Sequence, residues 1–385
     1  MKKTLLAAAL IAGYAGAASA QNSVTLYGVV DLGLEYQSIH APDGTVFLEN
    51  DKSSMSRFRM DSGQQSSSRW GLKGVEDLGN GLKASFVYES GITATTGASS
   101  GFTRQATLGL ASDSWGSLQM GRAVSPGTVA FAGIDPMGHS YGTSAYSNSQ
   151  GNTFIRYSNM ISYASPDISG FKGLVGYSFD PGLDSNSEDG GFATSNKNRV
   201  ASSGIRYANG PVLVSGIFDY VWSNDLNTSG SESDTNIKSW AIGGTFDFKV
   251  AKLHASYGQM IDGYLGASSL AADIVGGGDG NLSDGAFFEK GARTQSWMVG
   301  LSAPVGSGKV FGSVQQRLVG GDFKEDRIVG DLSLATGTMT TASIGYTYNF
   351  SKRTNLYAYY SYVNNVANLE GAKSNTVGVG LRHLF

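Results

Sequence analysis

The chain has 385 residues, 54 of them Gly, 7 Pro and none Cys, with 41% hydrophobic and 15% charged residues and a formal net charge of -3. It is too apolar for a disordered chain, too poor in Pro for collagen, and too balanced in charge to argue for nucleic acid. Without Cys there is no disulfide scaffold, thiol catalysis or cysteine-based metal site, and the four histidines (His40, His139, His254, His383) stand at no metal-ligand spacing.

Residues 1–20 carry Lys2 and Lys3, an apolar run from Leu5 to Ile11, and the small-residue pattern Ala18-Ser19-Ala20. These are the n-region, h-region and cleavage site of a signal peptide, so export is expected, with residues 21–385 as one domain. No later apolar run approaches 18 residues, so the mature chain is not expected to cross a membrane as a helix. From Val24 the pattern has period two. Val24, Leu26, Val30, Leu32, Leu34 and Tyr36 share one face, and Thr25, Tyr27, Asp31, Gly33 and Glu35 the other. Comparable segments begin near Val212, Trp240, Leu253 and Trp297, and the last strands run from Thr341 to Phe350 and from Thr376 to Phe385.

A soluble sandwich alternates too, but two features favour a membrane barrel. The strands run to about ten residues, the length a tilted bilayer-crossing strand needs. Aromatics (Tyr36, Trp222, Phe248, Phe350, Tyr362, Phe385) sit toward strand ends on the apolar face, as an interfacial girdle does. The other face is small and polar, which suits a water-filled lumen. Short turns such as Ala208-Asn209-Gly210-Pro211 and Ser351-Lys352-Arg353-Thr354 alternate with long connections at 37–66, 123–152, 180–197, 223–236, 261–291 and 319–338. The expected fold is therefore all-β: a sixteen-stranded antiparallel transmembrane barrel with short periplasmic turns and long external loops.

Several stretches resemble the general porins of Gram-negative bacteria, closest to those of the beta-proteobacteria. They are Ser23–Asp31, the more specific Ser68-Arg69-Trp70-Gly71-Leu72-Lys73-Gly74-Val75-Glu76-Asp77-Leu78-Gly79, Arg104-Gln105-Ala106 with Trp115-Gly116-Ser117-Leu118, and the terminal Gly380-Leu381-Arg382-His383-Leu384-Phe385. The resemblance implies a homotrimer, a third external loop folded into the pore, and a terminal Phe385 read by the barrel-assembly machinery. It also implies an eyelet lined by three arginines, carried here to Arg69, Arg104 and Arg156.

Parity supports two of these. Arg69 faces inward if Trp70 and Leu72 face lipid, and Arg156 does so if Ile155, Tyr157, Ile161 and Tyr163 face outward. The direction of Arg104 rests on the resemblance. Arg122 shares parity with Leu118 and Met120, so it stands open between the pore and an outward trimer seam. Lys73, Lys83 and Arg206 also read inward, as ordinary lumen residues. Residues 123–152 are the candidate inward loop, with Phe131, Ile134 and Met137 available to pack on the wall and Asp135 as its only carboxylate. One acid against three arginines predicts a weak anion preference at the constriction. Acids elsewhere (Asp184, Glu188, Asp189, Glu232, Asp234, Asp322, Glu325, Asp326) fall in the long connections.

The expected function is passive diffusion of small ions and hydrophilic solutes across the outer membrane, among lipid and lipopolysaccharide, with no catalytic residue and no cofactor. The rival readings are a receptor or adhesin barrel using its acidic external loops, and a soluble secreted β-protein. Tyr27, Tyr357 and Tyr359 are the clear inward aromatics, and their spacing suggests no sliding track for sugars. The weak alternation of 102–123 suggests strands buried between subunits, with 89–103 reaching a neighbour.

Overall fold

A period-two pattern with one apolar and one polar face finds its lowest-energy arrangement when every strand has two paired neighbours and the sheet has no free edge. The computed structural model describes residues 23–40, 53–182, 198–223, 235–265, 286–321 and 337–385. The expected signal peptide and the eight loop acids named above lie outside the described residues.

The strands run in chain order as β1 (Ser23–His40), β2 (Ser54–Ser62), β3 (Arg69–Gly79), β4 (Leu82–Thr93), β5 (Ala98–Ser99), β6 (Gln105–Ser112), β7 (Gly116–Val124), β8 (Arg156–Ala164) and β9 (Phe171–Ser178). There follow β10 (Arg199–Asn209), β11 (Val212–Trp222), β12 (Asn236–Asp247), β13 (Lys252–Leu265), β14 (Ala286–Val305), β15 (Gly308–Gly321), β16 (Met339–Asn349), β17 (Thr354–Asn364) and β18 (Lys373–Leu384). Successive wall strands pair antiparallel, and β1 closes the circle on β18 from Val29↔Leu384 to His40↔Lys373. β2 and β3 both pair with β1, so they are two halves of one wall strand broken at residues 63–68. The two-residue β5 pairs only with the end of β4. With those two adjustments the wall has the expected sixteen strands.

Alternation governs the burial. Along β12, Ile237, Ser239 and Ala241 are buried while Ile242 is exposed, and along β14 Thr294, Ser296 and Met298 are buried while Val299 and Leu301 are exposed. The exposed apolar side chains form the lipid face, and the small polar ones line the interior.

Three expectations need correction. The first connection is shorter than 37–66, because β1 runs to His40 and its partner strand resumes at Ser54. Residues 89–103 are a loop only in part. β4 continues to Thr93, the chain turns back through β5, and Phe102 rests against Trp70 and Tyr88 at ring separations of 5.9 and 5.1 Å. Tyr157, expected on the lipid face, is fully buried, and its hydroxyl donates to Asp219 Oδ2 at 3.2 Å. The β7–β8 ladder slips between Gly121 and Ala123, and Asn159 takes a left-handed φ of 48°; the extra residue reverses the parity of what precedes it, so Ile155 packs inside with Tyr157 and the parity argument that read Arg156 as inward fails with them.

Candidate functional site

The segment from Ser125 to Ile155 leaves β7 and returns at β8. Pro126 at the first helical position and the Ser125 hydroxyl, which accepts from Thr128 N at 3.1 Å, start a short helix, α1 (Pro126–Phe131). Arg206 on β10 donates to Ala132 O at 2.6 Å at the far end of α1, and Gly127 N donates to Ser202 Oγ. The inward Arg206 thus holds the helix against the wall. Phe131 and Ile134 pack among Ile217, Ala241 and Met298, as their apolar character predicts. The Gln150 amide donates to Ser239 Oγ at 3.1 Å and accepts from Ser296 Oγ at 2.7 Å, and Gln315 Nε2 donates to Ser144 O at 2.8 Å. Further round, Thr143 donates to Ser361 on β17, and Tyr141 N donates to Gln64 O at 2.6 Å. The segment therefore follows the polar inner face from β10 to β17 and touches the break in the β2–β3 strand.

Tyr141 gathers the inward aromatics. Its ring stands 5.8 Å from Tyr357, 5.2 Å from Tyr359 and 5.3 Å from Phe311, with Met137 in the same cluster. Tyr357 and Tyr359 are therefore anchors for this segment. Their hydroxyls donate to the buried carboxylates Asp31 (2.6 Å) and Glu35 (2.8 Å). Asp31 also accepts from Gln65 N and Ser66 N, which fixes the 63–68 break, and Glu35 is paired with Arg59 at 2.9 Å.

Asp135 is turned into its own loop. It is 4% exposed and accepts from Met137 N at 2.9 Å, His139 N at 3.0 Å and Tyr146 N at 3.0 Å. A carboxylate that satisfies three backbone amides is a structural acceptor. Its titratable neighbour is His139, Nδ1 at 3.8 Å, whose buried ring nitrogens have no hydrogen-bond partner and whose ring stacks on Phe154 at 5.4 Å. Burial holds the His139 pKa below the ordinary imidazole value, against the pull of Asp135. Burial likewise pushes the Tyr146 hydroxyl up to about 12.

The three arginines do come together, on the wall this segment leaves uncovered. The register Tyr27↔Gly71↔Glu89 carries one inward row across β1, β3 and β4. Glu89 is its hub. Arg104 Nε donates to Oε1 at 2.7 Å, Arg69 Nε lies 3.5 Å from Oε2, and Tyr27 donates to Oε2 at 3.0 Å. Gly71 permits this, since a Cβ there would stand 2.8 Å from the Tyr27 ring. Arg69 Nη1 also donates to Ser67 O at 2.8 Å. Arg156 lies over the Phe154 ring at 5.3 Å, and its electrostatic neighbours are Arg104, Glu89, Arg122 and Arg69. Arg122 sits at the β7 slip, donating to Ser158 Oγ at 2.7 Å and to Thr103 O. The acid among the arginines is thus Glu89, which sequence reasoning missed by assigning it to a loop. The signal was present: Phe86 and Tyr88 face outward in turn, so Glu89 faces in.

Phe385, exposed on the lipid face, pairs its backbone with Gly28 in both directions at 3.0 and 3.1 Å. A Cβ on Gly28 would stand 2.3 Å from the Phe385 ring, so the glycine makes the seat for the terminal aromatic. Among the described residues no cluster of His, Asp and Glu could hold a metal ion.

A family model described as Gram-negative porin matches residues 6–368. Over the full length of both chains, the sequence is 43% identical to an outer membrane porin protein of Bordetella pertussis and 30% identical to outer membrane porin protein 32 of Delftia acidovorans. Among solved structures, an anion-selective porin from Comamonas acidovorans superposes with a TM-score of 0.69, covering 95% of this chain and 100% of its own, at 24% identity.

Proposed function

The chain belongs to the Gram-negative porin family, whose members are outer-membrane diffusion channels, and on that premise we propose that its narrowest passage lies between the 125–155 segment and the arginine wall and favours anions weakly. The observation that carries this reading is the shared carboxylate: Arg69 and Arg104 both pair with Glu89 and Arg156 is within electrostatic reach of all three, so positive charge is in excess there. Asp135 is bound by backbone amides on the other side of the passage, where its charge acts on His254 and Lys309. The similarly folded anion-selective porin from Comamonas acidovorans points the same way. Reversal potentials across a planar bilayer under a salt gradient test the reading, with Arg69→Ala beside the wild type. The wild type is expected to prefer anions and the variant to prefer them less; clear cation selectivity of the wild type would overturn it.

The finer assignments rest on separate supports. A homotrimer is the assembly that the family resemblance implies, with the early strands β1 to β7 as its seam. Its test is analytical ultracentrifugation in mild detergent, where monomer alone would reject it. A role for Phe385 in recognition by the barrel-assembly machinery is supported by its place at the end of the closing strand. Deleting it is expected to lower the yield of assembled barrel in the outer membrane. Export by cleavage after Ala20 is tested by the mass of the mature chain, expected to begin at Gln21.

A further inference from the structure

The last residues, 380–385, carry a cation that neither the arginine wall nor the seat of Phe385 uses. Along β18, Val377, Val379 and Leu381 are exposed on the lipid face, while Ser374, Thr376, Gly378 and Gly380 turn inward. Arg382 continues the inward series. It is the first long side chain on that face. The positions before it are covered, since a Cβ at Gly378 would stand 2.2 Å from the Tyr359 ring and one at Gly380 2.2 Å from the Tyr357 hydroxyl.

The register Asn355↔Arg382↔Asp31 seats Arg382 beside β1, on the opposite side from Arg69, whose partner on β1 is Val29. Two strand spacings, about 10 Å, separate β18 from β3 across β1. Arg382 is an electrostatic neighbour of Arg69 and of Tyr141 in the 125–155 segment. It lies on the short-turn side of Arg69. Its pair with Asn355 follows Thr354↔His383 directly after the turn at 350–353, whereas Arg69 stands at the end of β3 farthest from the turn at Asn80. In a porin the short turns are periplasmic.

A chain of amides orients the guanidinium. Arg382 Nε donates to Asn355 Oδ1 at 3.0 Å, and Asn355 Nδ2 donates to Gln65 Oε1 at 2.7 Å, in the break at 63–68. One of the five guanidinium donors is thereby used. Both amino groups are without a partner among the described residues, and the residue is half-buried, so they meet the water of the lumen. Asp31, the acid opposite, is engaged by the Tyr357 hydroxyl, Gln65 N and Ser66 N. Arg69 and Arg104 share Glu89; Arg382 makes no ion pair among the described residues.

We propose that Arg382 is a specificity-determining residue of the channel, a fourth arginine on the periplasmic side of the wall, whose two free amino groups take a small anion or a solute carboxylate leaving Arg69. A guanidinium with both amino groups free is built for bidentate contact with such a group. The assignment rests on the anion-favouring passage proposed above.

The chain has no Cys, so Arg382→Cys offers a single thiol. The full-length porin is placed in planar bilayers under a potassium chloride gradient, with assembly checked by heat-modifiable mobility. The variant is expected to lower the anion-to-cation permeability ratio about twofold. Trimethylammonioethyl methanethiosulfonate should restore the ratio, and sulfonatoethyl methanethiosulfonate should lower it about twofold again, both reacting faster from the short-turn side. Equal ratios for the two adducts would overturn the proposal, as would faster reaction from the side of the long connections. Gln65→Glu leaves the terminal strand untouched and puts a carboxylate into the same amide chain; it is also expected to lower the ratio about twofold. An unchanged ratio there would overturn the proposal even if Arg382→Cys fails to assemble. The shift between adducts is read at one position whichever ion the wild type prefers. Cation selectivity of the wild type would therefore count against the arginine wall, and a missing shift against Arg382 alone.

Discussion

Replacing Glu89 by Gln removes the one carboxylate from among three guanidinium groups while keeping the side chain's size. Its oxygens lie 2.7 Å from Arg104 Nε and 3.5 Å from Arg69 Nε, so an ion brushing those arginines passes roughly 6 Å from the lost charge. At that distance in water the Coulomb energy is about 0.7 kcal/mol, and screening at 0.1 M salt reduces it to ~0.4 kcal/mol. That is about a twofold change for each sign of ion, hence about a fourfold rise in the anion-to-cation permeability ratio. Reversal potentials measured at several salt concentrations check it, and the rise should shrink in concentrated salt. An unchanged or lower ratio, with normal single-channel conductance, would show that Glu89 lies off the ion path and that the arginine wall does not set the field.

Asp135→Ala leaves three buried amides without their acceptor, so local opening of residues 125–155 should become more frequent by on the order of a hundredfold; limited proteolysis and conductance noise report it. Gly28→Ala drives a methyl group into the Phe385 ring and towards Arg69 O, 2.7 Å away, and is expected to cost roughly 1–3 kcal/mol, read as a lower temperature for loss of heat-resistant gel mobility. Burial holds His139 neutral in the folded chain, with its pKa below the unfolded value. Its segment is therefore fully stable above pH about 6.5 and loses stability as pH falls from there toward the folded value. Proteolysis at residues 125–155 should accelerate on acidification and less so in His139→Phe; acceleration on the alkaline side would refute the assignment.

Alternation along each strand was enough to settle the wall. It separates lipid from lumen by a rule that involves only neighbours in sequence, and it placed Arg69, the exposed Phe385 and the inward Arg206 correctly. The apolar Phe131, Ile134 and Met137 in a segment between two strands were likewise enough to say that it packs on something. What the tertiary structure decided are the places where that rule is interrupted or where distant strands meet. One extra residue in the β7–β8 ladder turned Tyr157 inward, and parity has no way to register an insertion whose partner lies on another strand. The break at 63–68 exists because Asp31, more than thirty residues earlier, accepts its amides. Asp135 faces its own loop and Glu89 faces the arginines for the same reason. A carboxylate goes to whichever donors the closed sheet brings within reach, and those donors are set by register between strands far apart in the chain.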